Sequence, residues 1–359
     1  MISRTQKEIT QNWPKEWDTP IVSIRCATFN HEKYIANALD GFLKQETNFP
    51  FEVIVHDDAS TDRTASIIKE YEKKFPNIIK PIYEIENQYS KHNGSIRDII
   101  TAACMGKYFA YCEGDDYWTA PNKLQMQVNW LESHPDYTMC CSDAFIESPE
   151  GILDWHRYEN DCDIPTEDMI LGGGAFVQTA TIIYRKNILD DYPEACKKCH
   201  VGDFPLQIWS TLKGKVRYIS YKTATYRYLH SMSWSAKQGN ISFNVKLSSI
   251  FSEFEMLASL NTYSQEKYSA TFLAYESRYL YNLIRERKEK KKEILDLFFC
   301  FEKEFKWWQK IEGILIRLSL WAFIDSYILI TQKRYKDAVY SLPIIKKLVP
   351  FIYYKILRK

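Results

Sequence analysis

Between residues 21 and 112, four short apolar runs recur, and polar loops and helical patterns fill the spaces between them. The runs are residues 21–26, 51–56, 78–83 and 108–112; helical patterns reach about Lys44 and about Lys74, and cover residues 96–105. Strand–loop–helix alternation of this kind predicts a mostly parallel sheet covered by helices. The loops holding Thr28 and Asn30, Asp57 and Asp58, and residues 113–116 all follow predicted strands. In open α/β sheets that edge is where ligands bind.

The fourth run ends in Glu113, Gly114, Asp115 and Asp116, three carboxylates within four residues. Like charges at that range repel. A divalent cation relieves the repulsion, and hard oxygen ligands suit Mg²⁺ or Mn²⁺. A metal held there could neutralise a diphosphate, which suggests chemistry on a nucleotide-activated substrate.

Downstream, the pattern predicts a helix over residues 123–133, an apolar run over 137–141 and an irregular acidic stretch over 146–170. Gly172, Gly173 and Gly174 then introduce a predicted strand over 176–184. A helix is expected from about Asp203 to Leu212, and residues 216–228 are β-rich. From about residue 240 glycine and proline become scarce and helical patterns dominate. The expected organisation is a polar segment (1–19), an α/β catalytic domain (20–235) and an α-helical C-terminal region (236–359). A chain of 359 residues accommodates this as one large domain with an appendage, or as two domains.

A net charge of +1 gives no basic field for nucleic acid. Nine cysteines, with no apolar leader in the first residues, point to a reducing, cytoplasmic setting. Cys196, Cys199 and His200 match the spacing of a haem attachment site, but that attachment follows export. A zinc knuckle would need a second ligand pair, and none is evident. No apolar stretch reaches the roughly 20 residues of a membrane span; the best, residues 313–331, is broken by Arg317 and Asp325. Residues 285–293 are a charged run, read as a solvated helix or linker. Residues 331–359 hold eight Lys or Arg against one acidic residue, Asp337, interleaved with Tyr, Ile, Leu and Phe. Three readings of that tail stand together: a peripheral contact with an anionic membrane at its inner face, a helical bundle packed on the catalytic domain, or a dimer interface.

Taken together, these motifs resemble a family 2 glycosyltransferase of GT-A fold, over roughly residues 20–235. The densest matches are Val22-Ser-Ile with Thr28-Phe-Asn30, then Val55-His-Asp-Asp-Ala-Ser-Thr-Asp-Arg-Thr64, then Glu113-Gly-Asp-Asp-Tyr-Trp118 followed by Pro121-Asn-Lys-Leu-Gln125. Weaker ones are Gln178-Thr-Ala-Thr181, Gly202-Asp-Phe-Pro-Leu206, and Tyr226-Arg227 with His230. The resemblance implies that Asp57 and Asp58 bind the nucleotide base and ribose, with Thr28 and Asn30 lining the same pocket. A carboxylate accepts the N–H and O–H groups such a ligand offers, while Ser60, Thr61 and Asp62 suit a cap and turn for the next helix.

Glu113, Gly114 and Asp115 correspond to the family's Asp-X-Asp motif, with Glu where Asp is usual. Direct metal coordination is expected at Asp115, with Asp116 and Glu113 supporting it, and His230 is a further metal or diphosphate ligand. Arg227 is expected at phosphate. Asp203 matches the family's catalytic base, which takes the acceptor hydroxyl's proton in an inverting transfer; a helix N-cap is its other reading. The implied activity is Mn²⁺- or Mg²⁺-dependent transfer from a nucleotide-diphosphate sugar, most simply a UDP-sugar. The implied acceptor is a glycan or lipid-linked saccharide in surface polysaccharide assembly.

A Rossmann dehydrogenase would need Gly-x-Gly-x-x-Gly after the first strand, and that loop carries no glycine. A nucleotidyltransferase would bring a glycine- and lysine-rich phosphate loop near the N-terminus, also absent. The non-enzymatic alternative is a catalytically silent homologue that scaffolds a membrane assembly, and Glu113 is the feature that favours it.

Overall fold

The structure, a computed structural model, describes residues 2–91, 95–153, 156–228 and 243–286. In chain order its elements are α1 (Gln6–Thr10), β1 (Val22–Thr28), α2 (Ile35–Leu43), β2 (Phe51–Asp57), α3 (Thr64–Lys74), β3 (Ile79–Tyr83), α4 (Ser95–Ala103), β4 (Tyr108–Tyr111), β5 (Tyr117–Trp118) and α5 (Lys123–Ser133). Then follow β6 (Tyr137–Ser148), β7 (Gly151–Leu153), β8 (Cys162–Asp163), α6 (Thr166–Gly172), β9 (Ile183–Arg185), α7 (Glu194–Lys198), α8 (Asp203–Lys213), β10 (Lys215–Arg227), α9 (Phe243–Tyr263) and α10 (Ser269–Glu286).

One sheet runs β3-β2-β1-β4-β9-β6-β10-β5, with β7 beside β6 and β8 beside β10. Its long pairings, β1 with β2 and β4, β2 with β3, and β6 with β10, are parallel. The short strands β5, β7, β8 and β9 run antiparallel to their neighbours. The expected α/β architecture with helices flanking a mostly parallel sheet is therefore present. β2 is buried along its whole length and β1 nearly so, as strands covered on both faces must be. On one face Val22, Ile24 and Cys26 pack in a core with Leu39 and Phe42 of α2. Each such large apolar side chain contributes about 1.5–3 kcal/mol when fully buried.

The other face of β1 carries Arg25, buried with no carboxylate among its hydrogen-bond partners. Nη1 donates to the hydroxyls of Tyr111 and Tyr184 at 2.5 and 2.8 Å, and Nη2 to the Arg97 carbonyl and Thr101 Oγ1 at 3.0 and 2.9 Å. The cation thereby fastens α4 to β1, β4 and β9.

Two stretches differ from the sequence reading. Residues 176–184 yield only the short β9, because Thr181 folds back on Gln178: its N–H and Oγ1 both donate to that carbonyl, at 2.9 and 2.7 Å. Side-chain bonds of this kind compete with a strand ladder. The N-terminal segment is also more than peripheral, since Ile9 and Trp13 join the core and the Trp13 indole N–H donates to Thr47 Oγ1 at 2.9 Å.

The chain divides into compact units at residues 1–267 and 268–359. Helix α9, assigned to the C-terminal region by the sequence reading, lies in the first unit, and α10 is the described part of the second. Residues 287–359, with the aromatic and basic tail, lie outside the described residues.

Beneath the Thr181 turn, Lys123 is fully buried. Its amine meets Gln127 Oε1 at 2.5 Å and the Thr181 carbonyl at 3.1 Å. Burial lowers its pKa from 10.5 to about 7. Between that value and the unfolded one, the unfolded chain binds one more proton than the folded chain, so stability rises with pH across the window. Urea unfolding of wild type and Lys123→Met between about pH 7.5 and pH 9 is expected to differ in slope, wild type gaining about 2 kcal/mol over the variant. Parallel pH profiles would mean that the amine stays charged in the fold.

Candidate active site at the strand ends

Because β3, β2, β1 and β4 are neighbours running the same way, their C-terminal loops meet at one edge. Asn30 takes the left-handed conformation with φ 56°, which asparagine tolerates better than most residues. Its N–H donates to Ser60 Oγ and its Oδ1 accepts from the Thr61 N–H, both at 2.8 Å. The loops after β1 and β2 are thus stitched together by Ser60 and Thr61, while the cap position of α3 is Arg63, and Asp62 Oδ1 accepts the Thr64 N–H at 2.9 Å.

Thr28 and Asp57 are register partners at the ends of β1 and β2. Both are buried, and among the described residues neither Thr28 Oγ1 nor Asp57 Oδ1 has a hydrogen-bond partner. Burial pushes the Asp57 carboxyl up, against hydrogen bonds from Ser60. Buried polar atoms in this state are rare and call for an explanation, and a bound group carrying N–H or O–H would supply one. Asp58 has another task. Its two oxygens accept the N–H groups of Gln88 and Tyr89 at 2.6 and 3.0 Å, which shapes the loop after β3.

The acidic loop enters over Thr28. A Cβ on Gly114 would sit 2.6 Å from Thr28 Oγ1 and 2.7 Å from Thr28 Cβ, so no side chain fits there. Asp115 is partly exposed, with Oδ2 3.9 Å from His31 Nε2. Asp116, expected among the metal ligands, is instead buried and turned onto β10, where Oδ1 accepts the Arg227 N–H at 2.8 Å. Burial, then the charge of Asp115, pushes its carboxyl well up. Arg227, expected at phosphate, is tied within the protein. Nη1 donates to the Asp115 carbonyl at 2.5 Å, Nε lies 3.3 Å from Glu147 Oε2, and the guanidinium covers the rings of Tyr117 and Tyr34 at 4.4 and 5.0 Å.

Glu113 is open to solvent, yet desolvation by surrounding protein, then the charges of Asp115 and Asp203, push its carboxyl up. Asp203 opens α8, close enough for its charge to act on Glu113. Its Oδ1 accepts the Phe204 N–H at 2.8 Å, and its Oδ2 lies 3.5 Å from Thr179 Oγ1. Burial pushes its pKa up, opposed by those bonds. A carboxylate made more basic in this way is suited to take a proton.

Among the described residues, no three His, Cys, Asp or Glu side chains converge as a metal cage. His230 lies outside the described residues. The site includes His31, Glu147 and Thr179, which the sequence reading did not single out. Thr179 sits inside a segment the motifs covered, whereas nothing local in the sequence marks Glu147 as the partner of Arg227.

Residues 23–192 match the family model described as Glycosyl transferase family 2. The Uncharacterized protein Rv1520 of Mycobacterium tuberculosis is 36% identical over 224 residues, covering 60% of this chain and 61% of that protein. The chain thus spans about three fifths of the length of this mycobacterial relative. The Putative glycosyltransferase EpsH of Bacillus subtilis is 24% identical over 301 residues, covering 80% of this chain and 78% of its own length. Among solved structures, S. aureus TarS 1-349 in complex with UDP aligns with a TM-score of 0.48 at 18% identity, covering 72% of this chain and 90% of that one.

The Gly114 contact can be tested directly. Gly114→Ala forces its methyl into Thr28, and overpacking of this kind is expected to cost about 1–3 kcal/mol. Denaturant unfolding measures it, and an unchanged midpoint would mean the loop moves away from β1 at no cost.

Proposed function

We propose that the chain is a family 2 glycosyltransferase, a reading supported by the match of residues 23–192 to that family's model, and that it is an inverting, metal-dependent enzyme using a nucleotide-diphosphate sugar, most simply a UDP-sugar. The observation that carries the proposal is the meeting of two kinds of group at one sheet edge. Orphaned acceptor-capable atoms on Thr28 and Asp57 suit a base or ribose, and Glu113 and Asp203, close enough for their charges to interact, suit a reacting sugar.

In this reading Asp57, with Thr28 and Asn30, receives the nucleoside, and Asp58 holds the neighbouring loop in shape. Asp203 takes the proton of the acceptor hydroxyl as that oxygen attacks the anomeric carbon, and a single displacement inverts the centre. The donor set fits Mg²⁺ or Mn²⁺ as these ions bind in phosphate chemistry, through one or two carboxylates and the substrate's own phosphate oxygens rather than a protein cage. Asp115 would hold the ion, with Glu113 beside it and His230 as a further candidate, and the ion when bound supplies charge for the departing diphosphate. Asp116 and Arg227 act as positioning residues that fix Asp115. The proposed acceptor is a glycan or lipid-linked saccharide of a surface polysaccharide. The basic, aromatic tail supports that choice and a peripheral place at the inner membrane face; no helix among the described residues is long and apolar enough to cross a membrane.

Calorimetric titration of UDP, GDP, dTDP and CDP into the full chain, with and without Mn²⁺, is expected to show metal-dependent binding of one nucleotide. Absence of binding and of Mn²⁺-dependent turnover in a folded protein would support the silent scaffold instead. The two carboxylates are expected to separate. Asp203→Asn should cut transfer by about 10²–10⁴-fold and leave nucleotide affinity nearly intact. Asp115→Ala should weaken Mn²⁺-dependent nucleotide binding itself, and the opposite pattern would reverse the assignments.

A further inference from the structure

Gly174 ends the glycine run and faces Asp203. Its neighbour Gly173 needs its glycine, with φ 69°, but Gly174 lies outside the left-handed region. A Cβ on Gly174 would meet Phe204 Cβ at 3.4 Å and the two oxygens of Asp203 at 3.6 and 3.7 Å, ordinary van der Waals distances. Neither backbone conformation nor packing therefore demands glycine here. What the absent methyl leaves clear is the space against both oxygens of the carboxylate. Gly174 and Asp203 are each partly accessible to solvent.

The spacing between the two residues is fixed by one helix. Asp203 opens α8, and Gln207, one turn later and fully buried, donates through Nε2 to the Val177 carbonyl at 3.0 Å and the Gly174 carbonyl at 3.4 Å. The helix that carries the carboxylate thus also holds the glycine loop against it. A hydroxyl losing its proton to Asp203 must approach one of these oxygens to about 2.6–3.2 Å, and a methyl on residue 174, at 3.6 and 3.7 Å from them, would stand in one of the directions of approach for the carbon bearing that hydroxyl.

We propose that Gly174 is a specificity-determining residue of the acceptor side: it forms the floor over which the carbinol carbon of a saccharide acceptor reaches Asp203. The proposal rests on the reading of Asp203 as base. In the step served, the acceptor oxygen bonds to the anomeric carbon while the bond from that carbon to the diphosphate oxygen breaks. The bonding pair leaves with the diphosphate, and the hydroxyl proton passes to Asp203. Water in place of the acceptor gives free sugar and nucleoside diphosphate by the same balance.

The test uses the full chain as wild type and Gly174→Ala. A panel of UDP-, GDP-, dTDP- and CDP-sugars is offered with water alone and with free pyranose saccharides. Gly174→Ala is expected to keep its melting temperature and its donor KM. Its kcat/KM for the saccharide should fall roughly tenfold to a hundredfold, mainly through acceptor KM, while hydrolysis by the smaller water falls much less. Equal loss of hydrolysis and transfer in Gly174→Ala, or unchanged transfer, would overturn the acceptor role and leave the base assignment standing. A wild type that releases no nucleoside diphosphate from any donor and transfers to no saccharide would overturn the underlying reading, and this proposal with it.

Discussion

Three carboxylates in four residues cannot all face one another in a folded loop, and the site is organised around how the chain relieves that repulsion. Asp116 turns inward and spends an oxygen on the Arg227 N–H. Arg227 in turn reaches the Asp115 carbonyl and Glu147, with Tyr34 and Tyr117 against its guanidinium. One arginine at the end of β10 thereby draws in the loop after β4, the end of β6 and the start of α2. Glu113 stays exposed and Asp115 partly so.

The sheet supplies the remaining geometry. Parallel neighbours deliver their loops to one edge, and the β1–β2 register sets Thr28 beside Asp57. The acidic loop can lie on Thr28 only because residue 114 has no side chain. Asp203 lies at the first residue of α8, so it and the acidic loop are carried by separate elements.

Where signals were local, the sequence reading anticipated the structure well. The first four strands, the helix over residues 123–133 and the helix opening at Asp203 all follow from periodicity and polar punctuation. What it missed depends on contacts far apart in the chain. Asp58 looks like a ligand-facing twin of Asp57 until Gln88 and Tyr89 are seen to occupy it. Lys123 looks like a surface lysine until α5 is packed beneath the Thr181 turn. The strand expected over residues 176–184 is mostly lost to that same turn, which an apolar run does not reveal. The tasks of Asp116 and Arg227 emerge only when β5 and β10 pair, more than a hundred residues apart in sequence.

Arg25 has a consequence for how such a chain can drift. Arginine does not discharge at any ordinary pH, so its environment must answer a permanent charge with neutral oxygens. Tyr111, Tyr184, Thr101 and the Arg97 carbonyl share that duty, and losing one leaves a buried cation short of a partner, a costly state. Changes at these positions are therefore coupled: Arg25 can become apolar cheaply only if its hydroxyl partners change with it. Tyr111 stands two residues before Glu113, so the drift of the strand that leads into the acidic loop is limited by a cluster on the opposite face of β1 from the Val22, Ile24 and Cys26 core.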